Sequence, residues 1–238
     1  MLKQIEGLVL RTVDYSESSV ICDLFSRELG RRSYMVHGVR KPKAKITKAL
    51  LRPMSWVELV VYHNEERDLN KVKEIRPSYI YQIIPFDIAR SNMALFMVEL
   101  AQKGLQEEGP QEELYNFLWV YFNQLDQKES PAWANLHLHF MVHFSAELGF
   151  CPSPSTSPIF DYKEGEFVQE KPLHPYHFDE ESSQILDQLL RLGRHQLAEL
   201  KLNRIKRQHF IEQMILFYRY HLPNFQLKSW EVLKQIMG

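Results

Sequence analysis

Apolar and polar positions alternate through the first third of the chain and then switch to a helical period near residue 80. Residues 2–13, LKQIEGLVLRTV, alternate over most of their length, as a half-buried strand does. A polar turn at 14–19 leads to a second strand at 20–27, and Glu28-Leu29-Gly30 is short enough only for a hairpin turn. A third strand is predicted at 33–39 and a fourth within 49–63, with Pro53 at a bulge or edge. A charged turn at 64–67 precedes a fifth strand at 68–75. Five short strands joined by tight turns predict a small barrel, and the OB-fold is the five-stranded barrel that recurs in oligonucleotide binding.

Beyond residue 85 the stripes are helical. Phe86, Ala89, Met93, Phe96, Met97 and Leu100 share one face over 86–105. After Pro110, Leu114, Leu118, Tyr121, Phe122 and Leu125 share another. Ser130-Pro131 signals the start of a third helix, striped by Trp133, Leu136, Phe140, Phe144 and Leu148 and closed by Gly149. Five prolines exclude a continuous helix over 150–178, where 159–168 reads as a short hairpin. Helices follow at 179–192, with Asp179 as cap, at 197–221, and at 230–236 after a Ser229 cap. The expected fold is α+β and multi-domain. A five-stranded OB barrel spans 1–80, and a mostly helical domain spans 81–238 with an irregular insertion at 150–178.

Composition narrows this picture. The 238 residues suit one or two domains, and no apolar run approaches a membrane span. The first residues carry charges and no small-residue cleavage site, so no signal peptide is expected. Two cysteines, Cys22 and Cys151, are too few for a disulfide framework and fit a reducing cytoplasm. The net charge is −1, yet residues 1–76 hold 15 Lys+Arg against 10 Asp+Glu, a net of +5, and the remainder holds 14 against 20, a net of −6. Such asymmetry suggests a polyanion-binding end.

The positive charge concentrates in 31–52, RRSYMVHGVRKPKAKITKALLR, which contains no Asp or Glu. Arg31, Arg32, Arg40, Lys41, Lys43, Lys45 and Lys48 are candidates to neutralise phosphates, which releases condensed counterions. A solvated loop kept basic for solubility is the plainer reading. Tyr34 and Tyr15 are candidates to stack on bases, whereas Phe25 and Trp56 read as barrel core. A second basic run, Lys201, Arg204, Lys206 and Arg207, reads as a solvated helix face or a partner site. Catalytic signatures are missing: there is no GxxxxGKS/T, no GxGxxG and no GxSxG. His139 and His143 are four apart on a predicted helix but lack the Glu of HExxH. Cys151, His174 and His177 offer three zinc donors without an obvious fourth. No enzymatic activity is expected.

Three stretches together give the chain a family likeness. LRTVDYSESSVICDLFSRELGRRSYMVHGVRKPKA, then ALLRPMSWVELVVYH, then LFYRYHLPNFQLKSWEVLKQI follow in order, and the chain resembles the bacterial recombination mediator family RecO. The resemblance implies an N-terminal OB domain followed by a helical domain. It implies binding of single- and double-stranded DNA, annealing of complementary strands, and cooperation with RecR and the C-terminal tail of SSB in loading RecA. It implies a cytoplasmic, nucleoid-associated protein with no membrane partner. The DNA-contacting positions carried over are Arg31, Arg32, Arg40, Lys41, Lys43, Lys45 and Lys48.

One departure stands out. Many members resemble one another in a four-cysteine zinc insertion, but CPSPSTSPIFDYKEGEFV holds only Cys151 there, so loss of the zinc site and no cofactor are expected. The competing reading is a protein-interaction scaffold of a repair complex, whose barrel mainly binds a protein.

Overall fold

The computed structural model describes residues 1–39, 48–105, 109–128 and 133–236. They divide into two compact units, one of Met1–Gln82 with Leu105–Phe122, the other of Ile83–Gly104 with the chain from Asn123 onward.

The first unit is a closed five-stranded barrel of β1 (Leu2–Asp14), β2 (Val20–Ser26), β3 (Gly30–Val36), β4 (Trp56–Tyr62) and β5 (Leu69–Tyr79). The strand order is β1-β2-β3-β5-β4, antiparallel throughout except for the β3–β5 pair, which closes the barrel. Alternation decides what goes inside. Ile5, Val9, Cys22, Leu24, Tyr34, Val36, Leu59 and Val61 fill the interior, and their neighbours in sequence face out. Burial pushes the Cys22 thiol up to about 12, so it behaves as a small apolar core residue.

Part of the barrel's outer wall is apolar as well. Leu8 pairs with both Phe25 and Trp56 across β1–β2 and β1–β4. A helix, α2 (Glu112–Leu125), covers this wall: Tyr115, Trp119 and Phe122 meet the Trp56 indole edge-on at 5.5, 5.0 and 6.2 Å. Phe25 and Trp56 are fully buried, but Trp56 is buried beneath α2 and outside the barrel interior. Glycine is required where residues 105–122 meet the β2–β3 turn. Gly30 has φ +63°, and a Cβ there would come within 1.9 Å of the Gly109 carbonyl oxygen.

Strand boundaries differ from the sequence pattern in three places, the first being β3, which runs Gly30–Val36 and not 33–39. Residues 49–55 belong to a one-turn 3-10 helix (Lys48–Leu51) and a turn in which Met54 takes φ 71°, so Pro53 lies before β4 and not in it. β5 runs on through Pro77 to Tyr79, into the stretch where the period appeared to change.

The second unit contains α1 (Ile88–Gly104), α3 (Trp133–Glu147), α4 (Glu180–Arg191), α5 (Arg204–His221), α6 (Ser229–Ile236) and a hairpin of β6 (Ile159–Asp161) and β7 (Glu166–Val168). Most residues of its predicted stripes are buried, Ala89, Trp133 and Leu148 are half-buried, and Phe86, outside α1, is 85% exposed. Ser130 and Pro131 lie outside the described residues. α5 starts at Arg204 and not at 197 because Asn135 captures the carbonyls of Leu197 and Leu200, at 3.0 and 2.8 Å, before a helix can use them. Asn203 then caps α5 by accepting from the Lys206 amide.

Side chains distant in sequence hold the helix ends of this unit. Arg90, buried on α1, donates from Nη1 to the carbonyls of Leu125 and Gln127 at 3.0 and 2.6 Å, and its guanidinium lies over the Trp133 ring at 5.2 Å. Asp126 accepts from the amides of Ile83 and Ile84. Glu99 accepts from the Lys228 and Ser229 amides and from the Ser229 hydroxyl, fixing the start of α6 on α1. His139 and His143 stack at 4.0 Å and donate to the Leu192 and Leu189 carbonyls at the end of α4. These bonds meet the requirement that a helix leaves four amides and four carbonyls unpaired at its ends.

Candidate nucleic-acid interface

The outward-facing residues of β1, β2 and β3 form rows across the sheet. Arg11 stands opposite Asp23, and Asp23 opposite Ser33. Asp23 is buried and accepts from Arg11 Nε at 3.1 Å and Ser33 Oγ at 2.7 Å; Arg11 Nη2 lies 2.9 Å from it and Arg31 Nη2 3.8 Å. One buried carboxylate thus organises two guanidiniums, leaving the row net positive. Arg11 was not among the candidates, although its place on the polar side of an alternating strand was readable.

The candidates separate into three groups. Arg31 is half-buried and also donates from Nη1 to the Leu105 carbonyl at 2.6 Å, so much of its hydrogen-bonding capacity serves the fold. Arg32 is half-buried too. Tyr34 is a correction: it shows no exposed surface, lies opposite Cys22 inside the barrel, and cannot stack on a base. Burial raises its hydroxyl well above the ordinary tyrosine range, and the nearby Arg32 charge opposes that rise. The third group is at the surface. Lys48 is exposed and pairs with Asp14 at 3.0 Å. Tyr15 on the β1–β2 turn is exposed, and so are Arg52 and Lys71, which were not among the candidates. Arg40, Lys41, Lys43 and Lys45 lie outside the described residues.

Next to Lys48 is an open cleft of about 320 Å³ lined by Thr12, Lys48, Ala49, Leu51, Arg52 and Pro53. Its floor is apolar and both flanking charges are positive. An exposed pair such as Lys48–Asp14 is worth at most about 1 kcal/mol, so a phosphate can replace the carboxylate at little cost.

The second basic run does not make one cationic face. Lys201 is exposed, and Arg204 donates to the Lys234 carbonyl at 3.4 Å. Lys206 pairs with Glu181. Arg207 turns inward to Asn135 Oδ1 at 2.9 Å, and burial lowers its pKa.

Each of the three candidate zinc donors has another partner. Cys151 Sγ lies 3.5 Å from the Val142 carbonyl, His174 Nε2 is 3.1 Å from Asp161 Oδ2, and His177 Nδ1 donates to the His174 carbonyl at 2.8 Å. Among the described residues no three His, Cys, Asp or Glu side chains come together to hold a metal. The insertion has other internal supports. Buried Asp161 accepts from the amides of Lys163 and Glu164, and Phe160 packs on Phe167, Phe178 and Phe217. No helix among the described residues is long and apolar enough to cross a membrane.

Comparison with known proteins gives a consistent result over the whole length. Family models described as recombination protein O N terminal and recombination protein O C terminal match residues 1–81 and 85–231. The chain is 31% identical over 242 residues to the DNA repair protein RecO of Phocaeicola vulgatus, covering all of both chains. It is 27% identical over 240 residues to the RecO of Azobacteroides pseudotrichonymphae, covering 99% of each, and 30% identical over 238 residues to that of Porphyromonas gingivalis, covering 97% of each.

Proposed function

This chain belongs to the RecO family of DNA repair proteins, and we propose that it acts as a recombination mediator through phosphate neutralisation on its barrel unit. The observation that carries this reading is the acid-free basic stretch 31–52, attached to a closed five-stranded barrel. Arg40, Lys41, Lys43, Lys45 and Lys48 are the main phosphate contacts, with Arg11, Arg52 and Lys71 as further cations of the barrel unit and Tyr15 able to stack on a base. Arg31 and Arg32 contribute field more than direct contact, because Arg31 is engaged with Asp23 and Leu105. Screening the charge of two complementary single strands lets them approach and anneal. Cooperation with RecR and the SSB tail in loading RecA belongs to the same reading, as does the duplex as a second ligand. The insertion holds its shape without metal, through Asp161 and the Phe160 cluster.

Salt dependence of binding to a labelled single-stranded oligonucleotide tests this directly. With about six phosphates of a single strand neutralised, affinity falls roughly three-hundredfold between 50 and 200 mM salt. A flat response overturns the proposal. A scaffold role, with the barrel bound to an acidic protein surface, is favoured instead if replacing Arg40, Lys41, Lys43 and Lys45 by Ala leaves DNA binding intact and abolishes RecR binding.

A further inference from the structure

The insertion of the helical unit carries an apolar knob. Leu173 is fully exposed and lies in Lys171-Pro172-Leu173-His174-Pro175, where each proline fixes its own φ. His174 clamps the segment to buried Asp161, and His177 bonds back to the His174 carbonyl. Beside it Tyr176 meets Tyr220 of α5 at 5.5 Å, and Leu216 lies one turn from Tyr220 on the same helix face; all three are more than 40% exposed. A rigid leucine with neighbouring tyrosines has the composition of a binding hot spot, preorganised so that little entropy is lost on docking.

The surrounding charge selects the partner. From Asp161 to Glu181 there are seven Asp+Glu and two Lys, a net of −5. Phosphates are repelled there, whereas a cationic surface with an apolar recess is attracted. Such a recess exists on the barrel unit: the cleft between Lys48 and Arg52, floored by Ala49, Leu51 and Pro53.

We propose that two copies of this chain associate head to tail, Leu173 of one entering the Lys48–Arg52 cleft of the other. The contact is heterologous, so it can propagate beyond a dimer. It is small and therefore weak and salt-sensitive. Where the function proposed above holds, it also competes with nucleic acid for Lys48 and Arg52, and a bound oligonucleotide releases the copies. The proposal uses the cations of the barrel unit but does not require that they bind DNA.

Sedimentation velocity of the full chain across the micromolar range, at low salt, provides the test. The expected result is a mass that rises with concentration above the 28.3 kDa of one chain and returns to it at moderate salt. Leu173→Asp removes the rise and leaves thermal unfolding unchanged, as does Arg52→Glu. Mixing the two variants restores association, because one supplies an intact cleft and the other an intact knob. A wild-type chain that stays monomeric at every concentration, or a mixture that does, overturns the proposal. So does a monomeric Leu173→Asp chain that has lost oligonucleotide binding, which makes the patch a nucleic-acid contact.

Discussion

The two units use their charged side chains in opposite ways. In the barrel the strands satisfy one another's amides and carbonyls, and closure leaves no open edge. Arg11, Lys48, Arg52 and Lys71 stand at its surface, and among the described residues of this unit Asp23 is the buried carboxylate. In the helical unit every helix end needs partners, and Arg90, Glu99, Asp126, Asn135, His139 and His143 supply them from far along the chain. Nearly equal numbers of basic residues in the two halves consequently mean different things. Arg11, Arg52 and Lys71 reach the surface of the barrel unit, whereas Arg90 and Arg207 of the helical unit serve the fold.

Acid should separate the units most strongly. Burial lowers His137 and His139 to about 3 from an ordinary 6.5, and lowers His143 as well. The folded state holds these rings neutral, so the unfolded chain takes up more protons below pH 6.5, and stability falls from there towards the folded values near 3. At about 1.4 kcal/mol per pH unit for each histidine, His137 and His139 together cost about 4 kcal/mol by pH 5. Urea unfolding against pH measures this. His137→Leu removes about half of the loss, and because both His137 nitrogens lack hydrogen-bond partners among the described residues, it also raises stability at neutral pH by about 1 kcal/mol.

Arg90→Met comes next. It strands the Leu125 and Gln127 carbonyls and removes the cation over Trp133, for a loss of about 3 kcal/mol, or roughly 10 °C in Tm by calorimetry. Glu99→Gln weakens the cap of α6 by about 1 kcal/mol, and hydrogen exchange should rise in α6 while the barrel strands keep their protection. Lys48→Ala is the smallest change, below about 0.5 kcal/mol, since its pair with Asp14 is exposed. An Arg11 or Lys48 variant that destabilised the chain as much as Arg90→Met would erase the distinction between the units.

Much of this was legible in the sequence where interactions are local. Period-two alternation located the barrel strands, and Asp179 was read as a cap that the structure keeps, accepting from the Ser182 amide. Ser229 was read as a cap too, but its helix end is held by Glu99, 130 positions away in sequence, which no local signal reveals. Tyr34 was misplaced because an aromatic beside arginines suits a stacking surface and a barrel interior equally, and only strand parity decides between them. Trp56 was read as core, yet what buries it is a helix more than fifty residues later. Arg207 looked like part of a basic face until Asn135 claimed it.

The most direct test is the affinity of the chain with Arg40, Lys41, Lys43 and Lys45 replaced by Ala for a labelled single-stranded oligonucleotide, beside the wild type at one low salt concentration. With four phosphate contacts removed, affinity should fall by at least about a hundredfold while Tm is unchanged. Unchanged affinity would contradict the claim that the barrel unit's cations are held for nucleic acid.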